Sequence, residues 1–390
     1  MEVDLLDGDF YAGDPYPIYA WMRENQPLYW DSTNELWGVS RYDDIEFIEK
    51  HADLFVNSDQ AKGGYRPNIP ADPAIIGLDD PEHRMRRNLV ARRFTPRAVG
   101  EWEPEVRATV TRLFDGVEAN GGKAEIIGDL AAPLPAMMIG KLLGFDVDAW
   151  PDLQSWSERT IMLGGGPRYH VEDGMIAAME FAQASADLYA EKSRCPADDV
   201  MTIWTQAQID GCPMGVDLAI ADSLLLLDGG AETTRTVIAR AMLSFIRFPD
   251  QWALLRRGID LEIATEELIR YVTPIHNMCR VATEDVPLAG GVVKAGQQVV
   301  LMYGSANRDP AHFTEPEQLD LTRYPNRHLA FGFGTHFCLG ASLARLEIRI
   351  FLEELAKRVR GLRLTGPVEA MPNSFVYGLR SAHLELDFGA

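Results

Sequence analysis

Apolar residues recur every three or four positions from Val216 to Ile246, the longest helical pattern in the chain. Shorter periodic stretches precede it. Tyr16 to Glu24 predicts an amphipathic helix that ends before Pro27, Leu36 to Val39 alternates as a strand, and Tyr42 to Lys50 predicts a second helix. Periodicity then lapses from Asn57 to Asp72, a stretch with Gly63, Gly64, Pro67 and Pro70; a loop this long inside a compact domain is more often functional than not. Asp79-Asp80-Pro81-Glu82-His83 carries the acids and proline of a helix start. Residues 101–192 predict several helices broken at Gly121-Gly122, Pro133, Pro135, Gly144 and Gly164-Gly165-Gly166-Pro167, with Met137, Met138, Met162, Met175 and Met179 as core filler. Glu262 to Tyr271 is helical, and Thr273 to Arg280 breaks that helix and begins a strand. Alternation from Val281 to Met302 predicts strands with a hairpin at Gly290-Gly291. After a helix marked by Leu339, Leu343 and Leu346, the tail predicts two paired strands, Phe375 to Leu379 and Leu384 to Phe388. There is neither an internal repeat nor an interdomain linker, so residues 1–390 read as one domain, mainly α with small β-sheets.

Composition narrows the function classes. Apolar residues make up 46% and charged residues 24%, enough to bury a core. Lys and Arg number 37 against 58 acids, a net charge of −21 that argues against nucleic acid or an anionic membrane as the main partner. No apolar run reaches about 18 residues, and the first residues lack a basic and then apolar leader, so the expected location is the cytoplasm. Cys195, Cys212, Cys279 and Cys338 are far apart without a CxxC, against a zinc site or disulfide framework. One segment runs against the acidic balance. Arg84, Arg86, Arg87, Arg92, Arg93 and Arg97 lie between His83 and Gly100 with no acid among them, an island suited to a negative partner.

Two stretches carry chemistry. Phe331-Gly332-Phe333-Gly334 leads through His336 to Cys338 and straight into a helical pattern. A cysteine at or just before a helix N-terminus is favoured as thiolate by free amides and the dipole, and Gly332, Gly334 and Gly340 let backbone approach something flat. In the long helix, Gly229-Gly230 followed by Glu232 and Thr233 costs about 1 kcal/mol per glycine against alanine; a widened turn leaving carbonyls for a small ligand is one reason to keep them. A cysteine hydrolase built on Cys338 lacks a base with an orienting partner. Asp228 sits one turn before Glu232, either exposed or coupled to a proton path.

The run from Phe331 to Gly340 resembles the haem-binding signature of the cytochrome P-450 superfamily, and three further motifs match in order from Phe10 to Phe388. The resemblance implies a single P-450 fold with haem b between the long helix and the cysteine helix, and Cys338 as the axial thiolate. It implies that His83, Arg87 and Arg280 hold the propionates, with Phe331, Gly332, His336, Gly340 and Gly230 around the cofactor. Thr233 and Glu232 become the proton-delivery pair of a monooxygenase, which argues against a haem sensor without turnover and against a peroxide-driven enzyme. Glu267, Arg270 and Arg323 become the structural triad that fixes the cysteine loop. Ferredoxin and a ferredoxin reductase, with NAD(P)H upstream, are the implied electron donors. Ala131-Ala132-Pro133-Leu134-Pro135, Gly229 to Arg235, Asn277 to Val281 and His328 to Leu339 are similar to the actinobacterial sterol side-chain hydroxylases. That branch oxidises the terminal methyl (C26 or C27) of cholesterol or cholest-4-en-3-one. The expected pocket is Ile69, Ile75, Ile76, Met162, Leu226, Ile275, Met278 and Val376; the same apolar lining also admits fatty acids or terpenoids.

Overall fold

The computed structural model describes residues 2–59, 63–69, 72–165 and 171–389. The Val216–Arg247 helix, 32 residues and so about 48 Å long, runs through the middle of the molecule. It buries residues on all sides, among them Ala219, Leu227, Ala231, Ile238 and Met242, because helices Pro133–Leu143, Trp150–Thr160 and Glu172–Arg194 pack on one part of it and Leu261–Val272 and Ala341–Arg358 on another. The chain is mainly helical with small sheets, as its periodicity predicts.

Sequence explains most boundaries. Tyr42–Lys50 and Leu36–Val39 form as predicted, and the first helix, Tyr16–Asn25, extends one residue further. Leu261–Val272 begins where the Asp260 carboxylate accepts from the Glu262 and Ile263 amides at 2.9 and 3.3 Å, and stops at Thr273, whose φ of 46° is left-handed, just before Pro274. Pro133 starts a helix rather than breaking one, since a proline at the first turn forfeits no intrahelical bond. The hairpin Val286–Leu288 with Gly291–Val293 turns at Ala289 and Gly290, both at positive φ.

A five-stranded sheet joins residues 28–56 to residues 277–302. Its order is Leu28–Asp31, Leu36–Val39, Gln298–Met302, Asn277–Ala282 and Phe55–Val56, with Val299 opposite Trp37 in parallel and opposite Arg280 in antiparallel register. Arg280 is thereby held beside the Tyr42–Lys50 helix.

The tail differs from expectation. Leu379–Asp387 is one strand, paired with Gly361–Ala370, and Phe375 to Gly378 lies outside it. Gly361–Ala370 is largely exposed and lacks an apolar period, so sequence alone does not mark it as the partner. Met175 and Met179 are 53% and 65% exposed, not core filler. Gly166 and Pro167, two of the expected breakers, fall outside the described residues.

Candidate active site

A cavity of about 600 Å³ lies between the long helix and the cysteine helix. Cys338 borders it, half-buried, three residues before the Ala341–Arg358 helix. The Cys338 amide donates to the Phe331 carbonyl at 2.8 Å, closing the loop on itself. Gly332 and Gly334 sit at φ 67°, and a Cβ on Gly334 would come within 2.4 Å of the Glu49 carbonyl oxygen, so the loop requires glycine there. Burial raises the Cys338 pKa, while the Gly340 and Ala341 amides and the charges of Arg87 and Arg345 act the other way.

Basic groups gather on one rim. His83, Arg87, Arg280 and His336 all border the cavity. The His83 and His336 rings are 4.1 Å apart, and His83 Nε2 is buried without a partner. Asn57 Nδ2 donates to the Ile76 carbonyl and to His336 Nε2, each at 2.9 Å, which leaves the neutral His336 proton on Nδ1. Burial, with the charges of Arg280, His83 and Arg87, pushes His336 down to about 2, so this ring stays neutral. Arg87 donates to the Phe337 carbonyl. Arg280 faces one counter-charge, Glu49 at 3.5 Å, whose carboxylate also accepts from the Tyr303 hydroxyl at 2.7 Å.

Across the cavity, Thr233, Gly229 and Gly230 line the wall. The helix stays α-helical through the glycines, without the widened turn offered as one reason for them, and the Thr233 hydroxyl donates to the Gly229 carbonyl at 2.7 Å. A Cβ on Gly230 would touch Ile139 at 3.0 Å, so that glycine serves close packing as well. Glu232 turns off the cavity. It lies 3.1 Å from Arg235, which bonds Glu158 at 2.6 Å, while Glu232 Oε2 has no partner. Glu158, 37% exposed, connects this buried chain to the surface.

The structural triad forms. Glu267 and Arg270 are fully buried and meet in a two-point contact of 2.7 and 2.8 Å; Arg323 Nε and Asn326 Nδ2 each donate to Glu267 at 3.0 Å. Arg270 also donates to the carbonyls of Asn307, Pro316 and Gln318, which ties residues 307–326 to the helix before they reach the cysteine loop. A second clamp is Glu266, which accepts from Arg345 at 2.6 Å and lies 3.3 Å from His328.

Ile69, Ile75, Ile76, Leu226, Ile275 and Met278 line the cavity as expected; Met162 and Val376 do not. Neighbours in extended chain face opposite sides, so Phe375 takes the cavity while Val376 bridges to Ile275 and packs with Ile161 and Met371. Ile161 and Leu163 take the place expected of Met162. The arginine island is also not uniform. Arg86 is buried against Asp222 on the long helix at 2.6 Å, Arg93 pairs with Asp198, and Arg84, Arg92 and Arg97 are exposed.

Buried acids give the protein a pH signature. Burial pushes Glu49 up to about 7, Asp222 to about 6 and Glu347 to about 8. Each carboxyl holds its proton more tightly folded than unfolded, where it titrates near about 4. Their stabilisation is complete below that value and is lost as pH rises through 6 to 8. Glu266 has the opposite sign: burial would raise it, but Arg345 and His328 hold it at about 2, so its contribution is lost only in strong acid. The melting temperature is therefore expected to fall between about pH 5 and pH 8, and Glu347→Gln to flatten that slope; thermal melts across the range check it.

The Cytochrome P450 family profile matches residues 261–361. Steroid C26-monooxygenase of Mycobacterium tuberculosis is 38% identical over 97% of this chain and 96% of its own length. Linalool 8-monooxygenase of Pseudomonas putida is 30% identical over 98% of each. Among solved structures, CYP109E1 from Bacillus megaterium in complex with testosterone superposes with a TM-score of 0.87 at 30% identity, covering 97% of this chain and 99% of that one. CYP268A2 from Mycobacterium marinum with pseudoionone gives 0.90 at 29% identity over 99% of both. No helix among the described residues is long and apolar enough to cross a membrane. Near-complete alignment with these enzymes, on the fold and cavity described above, places the chain in the cytochrome P450 family, as a haem-thiolate monooxygenase.

Proposed function

We propose that Cys338 supplies the thiolate that would hold haem b in this enzyme and that its substrate is the side chain of cholesterol or cholest-4-en-3-one, oxidised at the terminal methyl carbon. The observation that carries the reading is one cavity with a single cysteine on its floor among the described residues, a basic rim and apolar walls. The residues fit the cofactor. His83 Nε2 is buried and unpartnered, Arg280 pairs with Glu49, and among the described residues Arg87 has no carboxylate partner, an excess of positive charge that two propionates would balance. Bound haem supplies activation of O2: with two electrons and two protons, one oxygen atom enters a C–H bond and the other leaves as water.

The protein supplies position and protons. Phe331, Gly332 and Gly340 form the surface beside Cys338, and His336 stays neutral on the rim. Thr233 holds its hydroxyl at the cavity wall, bonded to a carbonyl it can leave by one rotation about χ1. Glu232 is the acid that would pass a proton toward that hydroxyl, while Arg235, which keeps its own proton, holds Glu232 and the part-exposed Glu158 in place on the solvent side. Thr233→Ala is expected to consume O2 at a rate near wild type while most reducing equivalents appear as hydrogen peroxide. Peroxide and product measured together check this; coupling as tight as wild type would route the protons elsewhere. Electrons come from a ferredoxin and its reductase, supplied by NAD(P)H. The exposed Arg84, Arg92 and Arg97 offer an acidic ferredoxin a docking charge.

For the sterol, support comes from the steroid C26-monooxygenase relatives and from walls of Ile69, Ile75, Ile139, Leu226, Ile275 and Met278. Burying a sterol at about 25 cal/mol per Å² of apolar surface gives ample affinity with few polar contacts. Cholest-4-en-3-one is expected to shift the ferric haem toward high spin at micromolar levels or below. No shift with any C27 sterol, beside tight binding of a fatty acid or small terpene, would reject the sterol and leave the monooxygenase intact.

A further inference from the structure

A polar patch breaks the apolar wall, with Asp228 beside Thr160, Tyr65, Arg66 and Asp72. Asp228 lies on the long helix five residues before Thr233, about 7.5 Å along the axis, and borders the cavity with Thr233. Its Oδ1 accepts from the Thr160 hydroxyl at 2.8 Å, a contact between the long helix and the end of Trp150–Thr160. That fixes the carboxyl at the wall rather than leaving it to swing out to water.

We propose that Asp228, held by Thr160, anchors a hydroxyl group carried by the substrate on the part that lies along the long helix. This rests on the reading of the cavity as a monooxygenase substrate pocket and adds a preference among its guests: an apolar skeleton that also bears an alcohol is held more tightly than one, such as cholest-4-en-3-one, that does not.

The groups facing Asp228 decide which polar function it takes. Burial, with the charge of Glu232 adding to it, pushes the carboxyl up to about 8, against the bond from Thr160 and the charge of Arg66. It is thus mostly protonated at neutral pH, able to donate through one oxygen and accept through the other. A hydroxyl matches both roles. An ammonium guest would require ionising an acid that the cavity keeps neutral, and would sit near the Arg66 cation. Arg66 itself is engaged by Asp72 at 3.4 Å, and Asp72 also accepts from Tyr65 at 3.0 Å, so those groups are already paired. A purely apolar guest would leave the Asp228 carboxyl desolvated against hydrocarbon, which penalises it.

The test uses the purified holoenzyme and its Asp228→Leu and Asp228→Asn variants. Isothermal titration gives dissociation constants for two matched pairs: 25-hydroxycholest-4-en-3-one against cholest-4-en-3-one, and citronellol against 2,6-dimethyloct-2-ene. In at least one pair the alcohol is expected to bind wild type about tenfold tighter, the effect of one buried hydrogen bond. The preference should vanish in Asp228→Leu and largely survive in Asp228→Asn. Alcohols that bind no tighter than their partners in either pair, or a preference unchanged in Asp228→Leu, would overturn the anchor. So would citronellylamine binding tighter than citronellol. The reduced carbon monoxide spectrum of each variant is recorded alongside: a normal thiolate-type band with no alcohol preference rejects the anchor alone, whereas its absence from wild type rejects the haem-thiolate reading beneath it.

Discussion

Cys338→His is expected to keep haem in the protein but to lose the red-shifted band of the reduced carbon monoxide complex, and with it all oxygenation. Haem should remain because most of what holds it is independent of the sulfur: the rim of His83, Arg87, Arg280 and His336, and the apolar walls on either side. Oxygenation should vanish because thiolate donation is what favours O–O cleavage, and an imidazole does not provide it. The loop should tolerate the change. The Cys338 amide bond to Phe331 involves backbone only, and the residue borders open space rather than packed core. Absorption spectra and product assays on the same preparation check both halves; a variant that keeps the band would remove Cys338 as the ligand.

Arg270→Met should cost stability rather than chemistry. It strands the fully buried Glu267 carboxylate with only Arg323, Asn326 and the Asp320 amide, and it releases the carbonyls of Asn307, Pro316 and Gln318. Breaking such a pair from one side costs about 3–5 kcal/mol, which for 390 residues lowers the melting temperature by roughly 4–6 °C. Because the same segment leads into the cysteine loop, haem should also dissociate faster. Arg323→Ala should cost less, since Arg323 lies nearer the surface and leaves the two-point contact intact. Melting curves with haem-loss kinetics check both variants; an Arg270→Met protein that melts like wild type would show the triad to be dispensable.

Much of this site is legible from local order alone. Cys338 and its glycines stand in one continuous run, and Glu267 and Arg270 are one helical turn apart, so spacing is enough to pair them. Arg323 joins from 56 residues away, and only the family resemblance points to it. What stayed hidden depends on contacts between distant segments. Nothing near Glu49 marks it as the counter-charge of Arg280, 231 residues further on, because the two meet only through the sheet register that sets Arg280 beside that helix. Asp228 was visible as an oddity, but its hold on Thr160, 68 residues earlier, was not. Arg86 looked like one more surface cation until Asp222 buried it. Val376 fails by one position: a strand-like alternation gives the parity of neighbours but not which of them faces inward, and Phe375 does.

The central claim is tested most directly by turnover of cholest-4-en-3-one under ¹⁸O₂ with a ferredoxin, its reductase and NADPH, followed by mass spectrometry of the products. The expected first product is a 26- or 27-hydroxylated sterol carrying one ¹⁸O atom. A product with unlabelled oxygen, or no consumption of O2 above the substrate-free rate with any sterol, fatty acid or terpenoid offered, would contradict it.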